Sequence, residues 1–243
     1  MADIEVNLAI PPDAHPGVLR SGDRSLEGAM AASYKTWSSV ATAEQRLDER
    51  AKGERPRPPG RRMDDVEKAM FRREIDEWSK KTSAFKADLA REAQPKIESA
   101  LKTLDRSLGS ARARAEALER EIQQELVPRP PDTPYDVEIR ARLREDNSLP
   151  ALKRAIDEGD PRVVAAIVGS PPMLLGVEPR IQETLRELAV RRVCPEKREA
   201  LELLQGDVER VQRGRDMFLE RMTESVRDWR SEEQQIIQEA LHA

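Results

Sequence analysis

Between Met63 and Leu126, apolar residues recur mostly at steps of three and four, and no other feature constrains the fold as much. The first half carries Met63, Val66, Met70, Phe71, Ile75, Trp78, Phe85 and Leu89. The second carries Ile97, Leu101, Leu104, Leu108, Ala111, Ala115, Leu118 and Ile122. That spacing gathers each set on one side of a helix and leaves charges on the others. A helix of this length cannot bury its stripe against itself, so it requires a second helix. Pro95 removes a backbone donor and crowds the carbonyl of Arg91, and Gln94 is biased away from helical angles. A kink or break is therefore expected near residue 95, giving pieces of about 63–93 and 96–127. Ala111 and Ala115 lie on the seam of the second piece, where small residues allow close approach. Its simplest partner is a last helix running from Glu196 to about Leu241.

Composition agrees with long helices rather than a thick globular core. Charged residues make up 36% and aromatics only 3% of the 243 residues. The signs are mixed, 42 basic against 46 acidic for a net charge of -4, which gives no global pull toward nucleic acid or an anionic membrane. Charge with helical periodicity reads as helical bundle and coiled coil. The expected class is all-α, an extended bundle with long helices, proline-rich connectors and an extended N-terminal arm. No run is long and apolar enough to cross a bilayer, and no secretory signal pattern is visible.

The arm is residues 1–25. Ile4, Val6, Leu8 and Ile10 alternate with Glu5, Asn7 and Ala9, a period-two strand pattern that Pro11-Pro12 ends. A lone strand leaves its backbone groups unpaired. It either adds to a partner's sheet edge, lies on the chain's own helices, or stays loose. The first reading makes Ile4, Val6, Leu8 and Ile10 candidate partner-binding residues.

A second region spans 26–127. Ser25 is positioned to cap a helix starting at Leu26, and Gly53 to end it near Ala51. Residues 54–60 form a proline-rich connector. The basic cluster Arg50, Lys52, Arg55, Arg57, Arg61 and Arg62 has no interleaved aromatic and is diluted by Glu49 and Glu54. It reads as a solvated linker, and nucleic acid is not an expected partner.

A connector follows at 128–147, with a short helix over Val137 to Leu143. The region 148–243 opens with helices at Leu149 and Pro161, each with a polar cap residue before it and proline in the first turn. Pro171 to Gly176 is a turn whose Met173, Leu174 and Leu175 either plug the helical cluster or dock on a partner; all three are candidate partner-binding residues. Arg215 occupies a core position of the last helix, an irregularity resembling a stutter.

Catalytic patterns are missing from the sequence. His15 and His242 lie near the chain ends, and Cys194, at a helix start, has neither a second cysteine nor a nearby histidine. A buried or capping thiol is the expectation there. No phosphate-binding glycine loop, metal-ligand spacing or nucleophile elbow occurs. No cofactor, no metal and no enzymatic activity are expected.

Residues 148–196 resemble uncharacterised helical proteins encoded among the head and tail genes of tailed bacteriophages. The resemblance is carried by the helix ending at Gly159-Asp160, by Val163-Val164-Ala165-Ala166-Ile167 running into Gly169-Ser170-Pro171-Pro172-Met173-Leu174-Leu175-Gly176-Val177, and by a charged helix ending at Cys194-Pro195-Glu196. It implies an all-helical, non-enzymatic, virion-associated or assembly protein in oligomeric contact with copies of itself or with other virion proteins. Assembly would take place in the host cytoplasm. A coiled-coil adaptor or chaperone that binds one protein partner transiently is the alternative, and a nucleic-acid-binding protein is a third reading.

Overall fold

The computed structural model describes residues 7, 10–57, 64–128 and 133–242, with the backbone alone for 50–53 and 228–242. Its helices are α1 (Arg24–Glu54), α2 (Asp65–Leu126), α3 (Pro134–Glu145), α4 (Leu149–Glu158), α5 (Pro161–Gly169), α6 (Pro172–Leu175), α7 (Pro179–Val193) and α8 (Pro195–His242). The protein is all-α, and no strand occurs among the described residues. Two compact units divide the chain, Met1–Gly109 with Val208–Ala243, and Ser110–Asp207. They cut across the four regions read from the sequence, because α2 and α8 each contribute to both.

The first unit is a three-helix arrangement of α1, the first part of α2 and the later part of α8. Asp23, not Ser25, caps α1, its carboxylate accepting from the backbone N–H groups of Ser25 and Leu26. Gly53 does not stop the helix, which runs on to Glu54. Asp64 and Glu67 exchange side-chain-to-backbone hydrogen bonds at the start of α2, which satisfies two otherwise orphaned donors. Leu26, Met30, Leu104 and Phe218 are buried almost completely. Burial of each such side chain contributes about 1.5–3 kcal/mol.

Contacts within this unit set the helix directions. The Ser25 hydroxyl donates to Ser107 Oγ at 3.0 Å, while Leu47 and Glu54 line a cavity with Trp78 and Phe85. Residue numbers rise on α1 as they fall on α2, so the two are antiparallel. The Trp37 and Phe218 rings lie 6.1 Å apart, and Arg221 Nη2 reaches Glu44 Oε2 at 2.7 Å, so α1 and α8 run parallel.

Pro95 does not break α2, which is helical without interruption from Asp65 to Leu126. The proline is exposed, so water can serve the Arg91 carbonyl that lost its donor. Buried Ala87, Ala90, Ile97 and Ala100 hold the turns on either side. The face that α2 buries before Pro95 also differs from the expected stripe. Ser83, Ala87 and Ala90 are buried, whereas Val66 is 69% and Met70 61% exposed. Small side chains permit close approach of the neighbouring helices, and the bulky ones are left to the rim.

On α8 the buried seam of this unit is Val211, Gly214, Phe218, Met222 and Ser225. The expected core position of Arg215 is thus taken by Gly214. Arg215 reaches outward to Asp105 at 2.6 Å and Asp216 at 3.0 Å.

The N-terminal segment lies on α1 as far as it is described. The Asn7 backbone N–H donates to the Tyr34 hydroxyl at 2.7 Å and its side-chain amide donates to Ser38 Oγ at 3.0 Å. His15 packs edge-on to Tyr34 with ring centroids 5.0 Å apart. Ile10 and Ala14 are buried.

The second unit packs α3 to α7 with the end of α2 and the start of α8. Ile122, Leu126, Leu152, Ile156, Val164, Ile167, Leu185, Ala189 and Cys194 form one core. Helix α7 touches both α4 and α5, and α3 lies against α5 and α6. Within this unit, Gln205 donates to Glu119 Oε1 and Lys197 to Glu125 Oε1, so α8 runs antiparallel to α2. Ala111 and Ala115 are buried here, as the second-half seam required.

Candidate interaction surface

Helix α6 is a single turn, and its ends explain what its three apolar residues do. Pro172 supplies a fixed φ in the first turn. Gly176 closes the turn in the left-handed region at φ 69°, its N–H donating to the Pro172 carbonyl. Successive helical side chains point about 100° apart, so the trio cannot share one direction. Leu175 is fully buried, Leu174 is 39% exposed and Met173 78% exposed. The turn both plugs the core, through Leu175, and projects two apolar side chains.

Side chains from outside the turn hold it in place. Arg144 Nη2 donates to the Met173 carbonyl at 3.1 Å, and Asn147 Nδ2 to the Gly176 carbonyl at 2.9 Å. The Gln182 amide donates to the carbonyls of Ile167 and Ser170, fixing the chain that enters the turn. A short exposed turn braced at its own carbonyls loses little freedom when it binds.

Helix α3 adjoins this turn and buries none of its own residues completely. Its N-terminus is fixed by a reciprocal capping box between Thr133 and Asp136. The Thr133 hydrogen bonds, side-chain first, hold the Asp136 carboxyl below the usual carboxylate range. Tyr135 is 51% and Val137 54% exposed, and the Arg162 guanidinium lies 5.1 Å from the centre of the Tyr135 ring. Val137, Ala141 and Arg144 share a face at steps of four and three, and Arg144 ends that face at the Met173 carbonyl. The sequence reading missed Tyr135 and Val137; the missing signal was a helix with exposed apolar residues on a weakly patterned background.

Of the other residues singled out from sequence, Ile4, Val6 and Leu8 lie outside the described residues. Ile10 is 4% exposed and packs within its own chain, so it is not a free partner-binding residue, and neither is Leu175. In the basic stretch, the Arg55 guanidinium sits 5.9 Å from the Trp78 ring centre, while Arg61, Arg62 and the side chains of Arg50 and Lys52 are outside the described set. The Trp78 side borders a cavity of about 260 Å³ with Leu47, Lys81 and Phe85.

Cys194 is buried in the second unit, and its thiol donates to Glu125 Oε2 at 2.8 Å. Burial first, and then this bond to a carboxylate, push the thiol up to about 11. The same bond, with Lys197, pulls the Glu125 carboxyl down. A thiol held neutral in this way is a structural donor, not a nucleophile. Among the described residues, no group of three His, Cys, Asp or Glu is placed to hold a metal ion, and no helix is long and apolar enough to cross a membrane. No protein-family model, no curated protein and no solved structure matches the chain.

Proposed function

We propose that the chain is a non-catalytic interaction protein that docks on another protein through Met173 and Leu174. The observation that carries this reading is the exposure of Met173, 78%, on a turn whose backbone is braced by Arg144 and Asn147. An unbranched thioether adapts to irregular apolar surfaces, and a braced turn presents it without much ordering cost. The setting we propose, a tailed-phage particle or its assembly, rests on the resemblance of residues 148–196 to helical proteins encoded among head and tail genes. There the chain binds other virion proteins or copies of itself.

The test is a Met173→Ser/Leu174→Ser double variant. Both side chains are exposed, so thermal stability should stay close to that of the parent. Incorporation into purified particles, or binding to the protein captured with the wild type, should drop at least tenfold. Unchanged incorporation at unchanged stability would remove this surface from the function. Absence of the wild-type chain from particles by mass spectrometry would remove the virion setting.

A further inference from the structure

The N-terminal segment doubles back on α1. His15 lies edge-on to Tyr34, and Asn7 bonds to Tyr34 and Ser38. Tyr34 stands about 15 Å along α1 from its first residue, Arg24. The chain must therefore turn back between Leu19 and Asp23 to bring His15 there. Gly22 makes the turn. Its φ of 68° lies in the left-handed region, and a Cβ added to it would meet nothing within 4 Å. On the helix side of Gly22, Asp23 caps α1 through the N–H groups of Ser25 and Leu26, so the start of the helix does not depend on where the preceding segment lies.

Before Gly22, the segment carrying Asn7, Ile10, Ala14 and His15 forms a strap. Ile10 and Ala14 are buried. The strap passes α8 at Gly214, where an added Cβ would lie 3.9 Å from Ala14 Cα and 3.3 Å from Met30 Cε. Its seat thus draws on Tyr34 and Ser38 of α1 and on Gly214 of α8. We infer that this strap exchanges between two copies of the chain, each strap filling the seat of the other with Gly22 as the hinge.

The surface that a second copy has to match is the one its own strap already fills, so every strap contact recurs unchanged in the exchanged pair. Two things differ. The hinge is reversed in the closed chain and extended in the exchanged one. A short tether also holds its end at an effective concentration of about millimolar, so the closed form dominates in dilute solution and exchange competes where copies are crowded. The inference goes beyond docking by Met173 and Leu174 and does not rest on it, since those residues belong to the other unit.

Disulfide trapping in the full chain tests this, the native Cys194 being buried. Ala14→Cys and Gly214→Cys are made in separate chains and mixed under mild oxidation at about 1 mM, near the effective concentration of the tether. A disulfide-linked heterodimer should form several-fold above that of Ala14→Cys mixed with Ser99→Cys, whose exposed position on α2 reports collision alone. A heterodimer no more abundant than this control would overturn the exchange. Sedimentation equilibrium of Gly22→Val gives a second measure that needs no disulfide. A β-branched residue disfavours the left-handed reversal, so the association constant should rise at least tenfold. Adding Ala14→Asp should abolish that gain, because the buried seat does not admit an unpaired charge. A Gly22→Val chain as monomeric as the parent, or a dimer that survives Ala14→Asp, would overturn the inference. None of these results bears on Met173 and Leu174, whose own test decides the docking reading.

Discussion

The Cys194 thiol donates to Glu125 Oε2 at 2.8 Å, and Lys197 Nζ lies 2.7 Å from the other oxygen of the same carboxylate. One acid from α2 therefore ties the junction between α7 and α8. The thiol is raised from 9.0 to about 11, so the folded state favours the protonated form. Stability from this shift is fully present below pH 9 and is lost as pH rises through about 11. Denaturant titrations across that window should show a steeper loss in the wild type than in Cys194→Ala. Alkylation near pH 9 should be much slower in the native protein than after unfolding.

Gly176 meets two restrictions at once. Its φ is 69°, and a Cβ built there would lie 2.9 Å from Asn147 Nδ2. Gly176→Ala should cost about 1–2 kcal/mol for the left-handed backbone and more for displacing Asn147. Gly159 has a similar φ of 76°, yet its added Cβ would meet only the Asp157 carbonyl at 4.0 Å. Gly159→Ala should therefore show the backbone cost alone. Thermal melts of the two variants compare them directly.

Gly214 separates helix propensity from packing. A Cβ there would come 3.3 Å from Met30 Cε and 3.9 Å from Ala14 Cα. The Met30 tip can move, and alanine gains about 1 kcal/mol over glycine in a helix. Gly214→Ala should thus be neutral or slightly stabilising. Gly214→Leu cannot be absorbed by a methyl shift and should cost about 1–3 kcal/mol. Hydrogen exchange at the segment carrying Ala14 should rise with it.

Pro95 is a local defect that the surrounding helix tolerates. It is exposed and sits inside an unbroken α2. Pro95→Ala restores a donor to the Arg91 carbonyl and removes the ring clash, and proline costs about 3 kcal/mol relative to alanine in a helix interior. The variant should melt at a higher temperature in a thermal scan beside the parent.

Much of the helical order was legible because proline and capping residues mark it locally. Pro161 and Pro195 stand in the first turns of α5 and α8, and Asp160 caps the Arg162 N–H as its position suggested. Ser25 misled because Asp23, two residues earlier, is the stronger acceptor. In α2 the bulky residues drew the eye to a stripe, while the bundle buries Ser83, Ala87 and Ala90, which periodicity alone does not rank. The alternation from Ile4 to Ile10 looked like a strand, yet Asn7 hydrogen-bonds to Tyr34 and Ser38 of α1 and Ile10 is buried. Such long-range hydrogen bonds leave no local trace. At α6 the apolar trio was visible, but which member turns inward depends on the helical phase set by Pro172 and Gly176.

The Arg215–Asp105 pair places α2 and α8 side by side within the first unit, shortly before Gly109 and shortly after Val208. The second unit, Ser110–Asp207, is thus an insertion in the sequence of the first, which resumes at Val208. Replacing the insertion with a tight turn would leave the first unit its own seam. Exchanging it for another helical insert would remove Met173 and Leu174 while leaving the residues of the first unit in place. A chain built this way can exchange its inserted unit wholesale while the first unit changes by point substitution.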